Sequence, residues 1–482
     1  MNLKNMLDQK GLLEKKDSIK SVFFYRICGT GMGAAACLLK EKGIAVEGGD
    51  NNFFPPMSSY LEQTGIPLHN LNEFDFSYLK KFDLIVVGNV VPKLSSEARS
   101  IEECGVNFCS FPSLLGSLVL HDINVVGIAG THGKTTTTYF ISQIFEKLGE
   151  DAGYFIGGVL EGRPSSKLGA GSYFFIESDE YDSSYFEKVS KFRSYSIDDL
   201  ILTSLEYDHA DIFEDLEAIK SEFRAVLKTH KGVVISNNEY AAIEDLQSEF
   251  AEIDWLNYGP RSGSGPNIIE QSEEGTHFNL SFNGEPYDFK TNVIGMHNIL
   301  NLSSCILYGL REGFSIEKMR EAVKDLRFVK RRQEIRGYYK ESMVIDDFAH
   351  HPRSVACTVE AVQTSFPDKN IVVVLEPNSA TARSNIFQEE FVEALKNCSA
   401  VIFAKPEKDT SVKSAKNLDY HLLVEDLSHC QVKAKACNNL DQLKEAIDES
   451  CGPENILLVL SNGTCLGLWK SDFVNHLESV KS

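Results

Sequence analysis

The sequence feature that most constrains the fold is the stretch Gly127–Thr138, which reads Gly-Ile-Ala-Gly-Thr-His-Gly-Lys-Thr-Thr-Thr-Thr. An apolar run from Ile123 to Ala129 leads into it and predicts a buried strand, and apolar residues at helical spacing follow it as far as Gly149. A strand, a glycine-rich turn, Lys-Thr and a helix form a phosphate cradle, because backbone N–H groups and the helix N-terminus face the anion. The chain is therefore predicted to bind phosphate groups at this turn.

The residue types in this turn suit a nucleoside triphosphate. Lys134 is placed to reach the terminal phosphates, and the Thr135 hydroxyl is an oxygen ligand for Mg²⁺. Ile128 stands where the common phosphate loop has its first glycine, so the spacing departs from that pattern. A chance Gly-Lys-Thr in a tight turn is the alternative. The residues expected to contact the nucleotide here are Gly130, Thr131, His132, Gly133, Lys134, Thr135 and Thr136.

Length, charge and cysteine usage limit the class of protein. A chain of 482 residues predicts about three domains. The net charge of −21 argues against nucleic-acid binding, which needs a basic surface. The 11 cysteines form no Cys-x-x-Cys pair, the first residues lack a signal-peptide core, and no apolar run has membrane-spanning length. We therefore expect a cytoplasmic protein with neither nucleic-acid nor membrane partners.

The first 121 residues open as a Rossmann-like unit. Residues 22–28 predict a strand, the run Gly-Thr-Gly-Met-Gly at 29–33 follows, a helix is expected from Ala34, and a second strand ends near Asp50. This pattern suits a nicotinamide site, the phosphates of another nucleotide, or only close helix–strand packing. The candidate ligand-binding residues are Gly29, Gly31, Gly33 and Asp50.

Acidic residues follow two further predicted strands. Glu177 ends the apolar run that begins at Tyr173, and Asp208-His209 follows the strand Leu200–Leu205. Open α/β sheets bind ligands at the carboxyl ends of their strands, so Glu177 and His209 are candidate ligands for cations near the phosphates. A solvated acidic loop and a structural histidine are the alternatives.

The remaining sequence completes a second domain and predicts a third. A hairpin is expected around Asn283-Gly284, and a long helix begins near Gly295. Asn298 and Asn301 lie on one face of that helix and act either as caps or as ligand contacts. A basic run precedes a third α/β unit that contains Asp347 and His350. We place the domains at 1–121, 122–330 and 331–482.

These motifs, taken in order, resemble the ATP-dependent Mur ligase family over nearly the whole chain. The resemblance rests on Gly-Thr-His-Gly-Lys-Thr, the Glu177 strand end, Asp208-His209, Gly-x-His-Asn-x-x-Asn, Arg331-Arg332 and Asp347-Phe-Ala-His-His-Pro. It implies a Rossmann-like N-terminal domain for a UDP-sugar, a central P-loop domain for ATP and a Rossmann-like C-terminal domain for the amine.

The resemblance also assigns roles to residues. Gly29, Gly31, Gly33 and Asp50 would bind the UDP-sugar, Thr135 and Glu177 one Mg²⁺, and His209 a second. Asn298 and Asn301 would reach the adenine, and Arg332, Asp347 and His350 would also contact the nucleotide. The expected catalytic residues are Lys134, Glu177, His209 and Arg332. Two departures from the family pattern stand at Thr203-Ser204 and at Asn378, with Arg383 as a replacement for an arginine at the latter.

Local sequences around Pro55–Ser58 and Leu205–Phe213 resemble one branch of the family. That branch ligates the murein tripeptide L-Ala-γ-D-Glu-meso-diaminopimelate to UDP-N-acetylmuramate during peptidoglycan recycling, through an acyl phosphate made with ATP and Mg²⁺. Ligation of free L-alanine is the alternative within the family. A nicotinamide oxidoreductase and a nucleotide-gated binding protein are the alternatives from other classes. The sequence leaves the oligomeric state open between a monomer and a weak dimer.

Overall fold

The computed structural model of the chain describes residues 2–53, 57–208, 210, 212–412 and 415–479. The chain folds into two compact units. The first unit comprises residues 1–206, 217–264 and 304–322, and the second unit comprises residues 207–216, 265–303 and 323–482. The domain boundaries drawn from the sequence remain a prediction, although each of the four sheets falls within one predicted domain.

The first part of the chain alternates helices with strands. Its elements are α1 (Gln9–Lys15), β1 (Ser21–Tyr25), α2 (Thr30–Glu41), β2 (Ala45–Asp50), α3 (Met57–Thr64), β3 (Leu68–Asn70), β4 (Leu84–Val87), α4 (Ser96–Glu103), β5 (Asn107–Ser110) and α5 (Phe111–Leu118). The strands pair in parallel in the order β3-β2-β1-β4-β5. β1 ends earlier than predicted, because Arg26 turns the chain with a φ of 72°.

The next part forms a seven-stranded sheet. Its elements are β6 (Asn124–Ala129), α6 (Lys134–Lys147), β7 (Gly153–Phe155), β8 (Ser166–Lys167), β9 (Tyr173–Ser178), β10 (Asp199–Leu202), α7 (Leu216–Leu227), β11 (Val233–Asn237), α8 (Ala241–Glu249) and β12 (Asp254–Tyr258). The order is β12-β11-β10-β6-β9-β7-β8, parallel except for β8. Ala129 at the end of β6 pairs with Ser178 of β9 and Leu202 of β10, so the three strands end at one edge.

The second unit contains the predicted hairpin. Strands β13 (Asn267–Ser272), β14 (Gly275–Phe282) and β15 (Glu285–Thr291) form an antiparallel sheet, and helices α9 (Met296–Arg311) and α10 (Ile316–Ala322) follow along the chain. Asn283 and Gly284 have φ values of 53° and 82°. Two consecutive positive φ angles are what a two-residue hairpin turn requires, and the predicted hairpin is confirmed.

The last part of the chain forms a six-stranded sheet. Its elements are β16 (Glu334–Tyr339), β17 (Ser342–Asp347), α11 (Pro352–Ser365), β18 (Asn370–Glu376), α12 (Gln388–Leu395), β19 (Ala400–Ala404), α13 (Tyr420–His429), β20 (Lys433–Cys437), α14 (Leu440–Ser450) and β21 (Asn455–Ser461). The order is β16-β17-β21-β18-β19-β20, with β16 antiparallel. Short 3-10 helices lie at Lys16–Ser18, Phe76–Lys81, Lys191–Ser194, Asn385–Phe387, Leu468–Lys470 and Asp472–His476.

The first two sheets are joined by a shared core. Tyr185, from the segment after β9, lies among Phe23, Tyr25 and Phe108 in the core beside the first sheet. The Ser113 hydroxyl at the start of α5 donates to the Glu187 carboxylate over 2.8 Å. A Cβ on Gly116 would lie 1.7 Å from the Ser194 carbonyl oxygen. The joint is therefore close-packed backbone against backbone.

All 11 cysteines are free of disulfides. No helix in the described ranges has the combined length and apolar character needed to cross a membrane.

Candidate active site

The turn between β6 and α6 has the geometry that the sequence predicted. Gly130 and Gly133 have φ values of 134° and 83°, which favour glycine. A Cβ on Gly130 would also lie 2.5 Å from Thr203 Oγ1. α6 begins at Lys134, so the N–H groups of its first turn and their partial positive charge lie beside this turn. The predicted strand, turn and helix are confirmed.

Hydroxyl groups that follow β10 hold this turn in place. Thr203 Oγ1 donates to the His132 carbonyl over 2.6 Å, and Ser204 Oγ accepts from the His132 N–H over 2.7 Å. The Thr131 N–H donates to the Ser204 carbonyl over 3.2 Å. The sequence marked Thr203-Ser204 only as a departure from the family pattern and missed this role. Their position directly after a strand that neighbours the loop strand was the available signal.

Lys134 is held among carboxylates. Its Nζ donates to the Gly130 carbonyl over 2.6 Å and to the Glu180 carboxylate over 3.0 Å. Burial alone would lower the pKa of Lys134, but the carboxylates of Glu180, Asp179 and Glu177 outweigh burial and raise it. Lys134 therefore keeps its positive charge. Glu180, three residues after Glu177, is buried and paired with Lys134, so it does not belong to a solvated acidic loop.

Glu177 and Thr135 meet beside the turn. Thr135 Oγ1 donates to Glu177 Oε1 over 2.8 Å, and the Gly157 N–H donates to Glu177 Oε2 over 2.7 Å. A hydroxyl and a carboxylate are oxygen ligands of the kind that Mg²⁺ takes in nucleotide sites. The structure thus brings together Lys134, Thr135 and Glu177, three of the residues singled out from the sequence.

The residues after β10 are described only in part. His209, expected to hold a second cation, lies outside the described residues, and its role stays a prediction. Its neighbour Asp208 is buried. His132 Nε2 lies 3.3 Å from Glu206 Oε2, so the loop histidine faces an acid from the same stretch.

The N-terminal glycine run is helical, which corrects the expected start at Ala34. α2 begins at Thr30 with Gly29 as its N-cap, so Gly31 and Gly33 lie inside its first turns. A Cβ on Gly31 would lie 3.1 Å from the Phe111 ring, and one on Gly33 would lie 2.2 Å from Met57 Sδ. Close packing therefore explains both glycines, as one of the alternatives held.

Asp50 fixes the turn between β1 and α2. Its Oδ2 accepts from the Cys28 N–H over 2.9 Å, and its Oδ1 lies 3.5 Å from Arg26 Nη1. Arg26 itself donates to Glu97 over 2.5 Å. These contacts hold the chain that leads into the N-terminus of α2, and a ligand-binding role for Asp50 stays a prediction.

In the second unit, Asn298, Gln333 and Asp347 form a chain of hydrogen bonds. Asn298 Nδ2 donates to Gln333 Oε1 over 3.1 Å, and the Gln333 N–H donates to Asp347 Oδ2 over 2.8 Å. Burial raises the pKa of Asp347, while Arg332 and the N–H groups of Ala349 and Gln333 oppose that rise. The sequence singled out Asn298 and Asp347 but missed Gln333, the residue that connects them.

Arg332, His350 and Asn301 are the other residues of this unit that were expected to contact the nucleotide. The Arg332 guanidinium lies 5.0 Å from the centre of the Phe348 ring. His350 Nδ1 lies 3.0 Å from the Phe348 carbonyl oxygen. Asn301 is buried in α9, one turn after Asn298.

Asp346, next to Asp347, is a buried carboxylate whose oxygens accept no hydrogen bond from the described residues. Arg331 Nε lies 3.5 Å from it and Arg336 Nη1 lies 3.9 Å from it. Burial raises the pKa of Asp346 to about 7, although both arginines oppose the rise and Glu334 and Asp347 add to it. The segment before β16 is also strained, with φ values of 62° at Arg331 and 48° at Gln333.

The second departure from the family pattern lies at the end of β18. Arg383 Nη1 donates to the Asn378 carbonyl and, over 3.1 Å, to Asn378 Oδ1. The Asn378 N–H donates to Asn462 Oδ1 over 3.1 Å, just past β21. Arg383 thus braces the strand end at which the missing arginine would stand.

Three family models match successive parts of the chain. The model described as Mur ligase family, catalytic domain, matches residues 21–122, the Mur ligase middle domain matches residues 128–309, and the Mur ligase, glutamate ligase domain, matches residues 331–463. Together these matches follow the order that the motifs predicted.

Individual relatives match over nearly their full length. A Haemophilus influenzae protein named UDP-N-acetylmuramate–L-alanyl-γ-D-glutamyl-meso-2,6-diaminoheptandioate ligase is 33% identical over 464 residues, which cover 93% of this chain and 98% of that protein. A Streptococcus gordonii UDP-N-acetylmuramate–L-alanine ligase is 31% identical, covering 96% of this chain and 99% of that protein. The crystal structure of a murein peptide ligase from Psychrobacter arcticus is 26% identical, with a TM-score of 0.69 and coverage of 96% and 100%.

The sequence, the fold and these comparisons agree. The three-domain α/β architecture predicted from the motifs is the one shared with the Psychrobacter structure, and that prediction is confirmed. The chain belongs to the Mur ligase family, whose members are ATP-dependent ligases that form carbon–nitrogen bonds.

Proposed function

We propose that this enzyme joins L-Ala-γ-D-Glu-meso-diaminopimelate to UDP-N-acetylmuramate with the conversion of ATP to ADP and phosphate, a step of peptidoglycan recycling in the cytoplasm. The observation that carries this proposal is the 33% identity to the Haemophilus ligase of that name over 98% of its length. The Psychrobacter murein peptide ligase, whose whole chain is covered, supports the same reaction.

The reaction needs an activated carboxylate, because oxide is a very poor leaving group. An oxygen of the sugar carboxylate attacks the γ-phosphorus of ATP, ADP leaves, and an acyl phosphate forms. The free amine of the peptide then attacks the acyl carbon, phosphate leaves, and the nitrogen loses a proton. Most of the protein's contribution to phosphoryl transfer is positioning and charge neutralisation.

Lys134 supplies the fixed positive charge. Its raised pKa keeps the ammonium protonated, and its bonds to Gly130 and Glu180 hold it at the N-terminus of α6. A preformed charge of this kind stabilises the negative charge that develops on the transferred phosphoryl group. Gly133 and Thr136 would offer backbone N–H groups to the phosphates at the start of α6. The N–H groups of Thr131 and His132 are hydrogen-bonded to Ser204, so these two residues would hold the shape of the loop around the nucleotide.

The acid residues beside the loop fit a bound Mg²⁺. Glu177, Asp179 and Glu180 surround Lys134, and this excess of negative charge would repel a triphosphate that arrived without a cation. Thr135 and Glu177 would hold the ion, with His209 as the candidate ligand of a second one. A bound Mg²⁺ would neutralise part of the negative charge of the triphosphate.

The remaining roles follow the family resemblance. Asn298 and Asn301 would contact the adenine, and Arg332, Asp347 and His350 would contact the rest of the nucleotide. The UDP pyrophosphate would lie at the N-terminus of α2, beside Gly29, Gly31 and Gly33, with Asp50 supporting the turn.

A comparison of amines tests the proposal. Phosphate release and product mass are measured with UDP-N-acetylmuramate, ATP and either the tripeptide, L-Ala-D-Glu or L-alanine. We expect the highest kcat/KM for the tripeptide. A preference for L-alanine would assign the reaction of the Streptococcus relative to this enzyme instead.

Control reactions without UDP-N-acetylmuramate and without an amine complete the test. Phosphate release that continues without UDP-N-acetylmuramate would favour a nucleotide-gated binding protein over a ligase. Release that needs the sugar and an amine together, with a new amide in the product, is the result expected of the proposed function.

A further inference from the structure

The amide of Asn298 has an orientation fixed by its neighbours. Nδ2 faces the Ile294 carbonyl at 3.1 Å, and a carbonyl oxygen only accepts hydrogen bonds, so the facing atom must be the nitrogen. The second N–H of the same group donates to Gln333 Oε1 at 3.1 Å. Both donors of the amide are therefore used. Nothing in the described part of the chain donates to Oδ1, which remains the atom available to a ligand.

Gln333 is held firmly in the position from which it fixes this amide. Its N–H donates to Asp347 Oδ2 over 2.8 Å, and its φ of 48° is one that a non-glycine residue rarely adopts. The two ends of Gln333 thus connect Asn298 to Asp347, the residues expected at the adenine and at the rest of the nucleotide.

The amide of Gln333 makes only part of the hydrogen bonds that it could make. Its Nε2 is shielded from solvent and has no acceptor among the described residues. A shielded donor without an acceptor is costly, and proteins retain few of them. We therefore infer that the side chain is placed so that Gln333 Oε1 can accept from Asn298, although Gln333 Nε2 is then left without an acceptor.

The geometry points to Gln333 as a positioning residue that sets the base selectivity of this enzyme: by occupying a donor of Asn298, it presents Asn298 Oδ1 as an acceptor that selects a purine with an amino group at C6. This inference rests on the proposed function, in which Asn298 contacts the base.

The selectivity follows from the edges of the two purines. Adenine carries an amino group at C6, which donates to an acceptor, whereas guanine carries an oxygen there, which accepts. When Gln333 holds the Asn298 amide, Asn298 Oδ1 accepts a hydrogen bond from the C6 amino group of adenine. With guanine, the same Oδ1 would face the C6 oxygen, and two acceptors repel each other. An amide released from Gln333 can rotate and donate Nδ2 to guanine, at the cost of its bond to Ile294.

Substitutions at Gln333 test the inference through the ratio of kcat/KM for ATP to kcat/KM for GTP, at saturating UDP-N-acetylmuramate and tripeptide. Gln333→Met keeps the length of the side chain but removes the acceptor, and we expect the ratio to fall roughly tenfold, mainly through a higher KM for ATP. Gln333→Glu retains an acceptor for Asn298 Nδ2 and is expected to keep the wild-type preference. UDP-N-acetylmuramate binding reports that each variant is folded.

Gln431→Met is the matched control, because Gln431 is an exposed glutamine whose φ of 65° is also positive. We expect its ratio to equal that of wild type. An unchanged ratio in Gln333→Met, or an equal fall for both nucleotides in Gln333→Met and Gln333→Glu, would overturn the inference while leaving the proposed function standing. Wild-type enzyme that makes no amide with ATP would defeat the proposed function and this inference together.

Discussion

The phosphate loop at residues 129–135 and the segment at residues 331–347 are both predicted to contact the nucleotide, yet they are built differently. In the loop, the side chains of Lys134 and Thr135 and the backbone N–H of His132 are hydrogen-bonded to side chains that lie in or just after β9 and β10. In the segment, Gln333 Nε2, Arg331 Nε and both oxygens of Asp346 lack hydrogen-bond partners among the described residues. The loop is preorganised for its ligand, whereas the segment holds polar groups in a costly state that ligand or movement can relieve.

The largest expected effect comes from removing the charge of the preorganised loop. Lys134→Ala should lower kcat for ligation by ~10²–10³, since it removes a fixed donor from the developing phosphoryl charge. Phosphate release measures the change, and UDP-N-acetylmuramate binding checks the fold. Lys188→Ala is the control, because that lysine is 64% exposed and its ion-pair partner is Asp182, which is not a residue of the loop. A Lys134→Ala rate within a few-fold of wild type would mean that Lys134 serves only to neutralise Glu180.

A smaller effect is expected from Glu177→Gln. Glutamine keeps an acceptor for Thr135 but removes the charge that would hold Mg²⁺, so the Mg²⁺ concentration for half-maximal rate should rise ~10–100-fold. The measurement is a Mg²⁺ titration at fixed ATP. Glu146→Gln alters an acid of α6 that is 50% exposed and pairs with Arg163, and should leave the titration unchanged. Equal titrations for Glu177→Gln and wild type would remove Glu177 from the metal site.

The smallest expected effect is a change in how the stability of the protein depends on pH, and it comes from Asp346 in the strained segment. The pKa of Asp346 near 7 lies above its ordinary value, so the folded protein keeps a proton that the unfolded chain has lost. The free energy of unfolding therefore falls as pH rises from the ordinary pKa of 3.8 to about 7, and the Asp346 contribution levels off above that pH. Asp346→Asn should remove about 1–2 kcal/mol of this loss between about pH 5.5 and 8.

Urea unfolding of wild type and Asp346→Asn at both pH values measures the difference. Asp472→Asn is the control, because Asp472 is 59% exposed and its pKa is lowered, so it titrates below this window. Parallel pH dependence in wild type and Asp346→Asn would show that Asp346 is ionised throughout, held by Arg331 and Arg336.

Sequence reasoning located what depends on local pattern. The strand before Gly130, the helix after Lys134 and the hairpin at Asn283-Gly284 follow from apolar spacing and turn chemistry, and Glu177 follows from its place at a strand end. Gly31 and Gly33 misled the prediction of α2, because glycine is a poor helix former unless packing demands it, as Phe111 and Met57 do here.

Contacts between distant segments escaped the sequence. Thr203 and Ser204 brace a loop more than sixty residues earlier in the chain, and Gln333 joins Asn298 to Asp347. No local period encodes such pairs, since they arise only when strands and helices pack. The family resemblance did not supply them either, because it named ligand contacts and not the residues that orient them.

The packed joint around Gly116 and Tyr185 has a consequence for engineering. Tyr185 completes the core beside the first sheet, although the chain supplies it from the segment after β9. A fragment of residues 1–121 would lack Tyr185 and would therefore have a cavity in that core. Cleavage of the chain just before β6 would leave the fragment packed against residues of the following segment. Chimeras that exchange residues 1–121 between relatives therefore need to carry residues 183–187 with them.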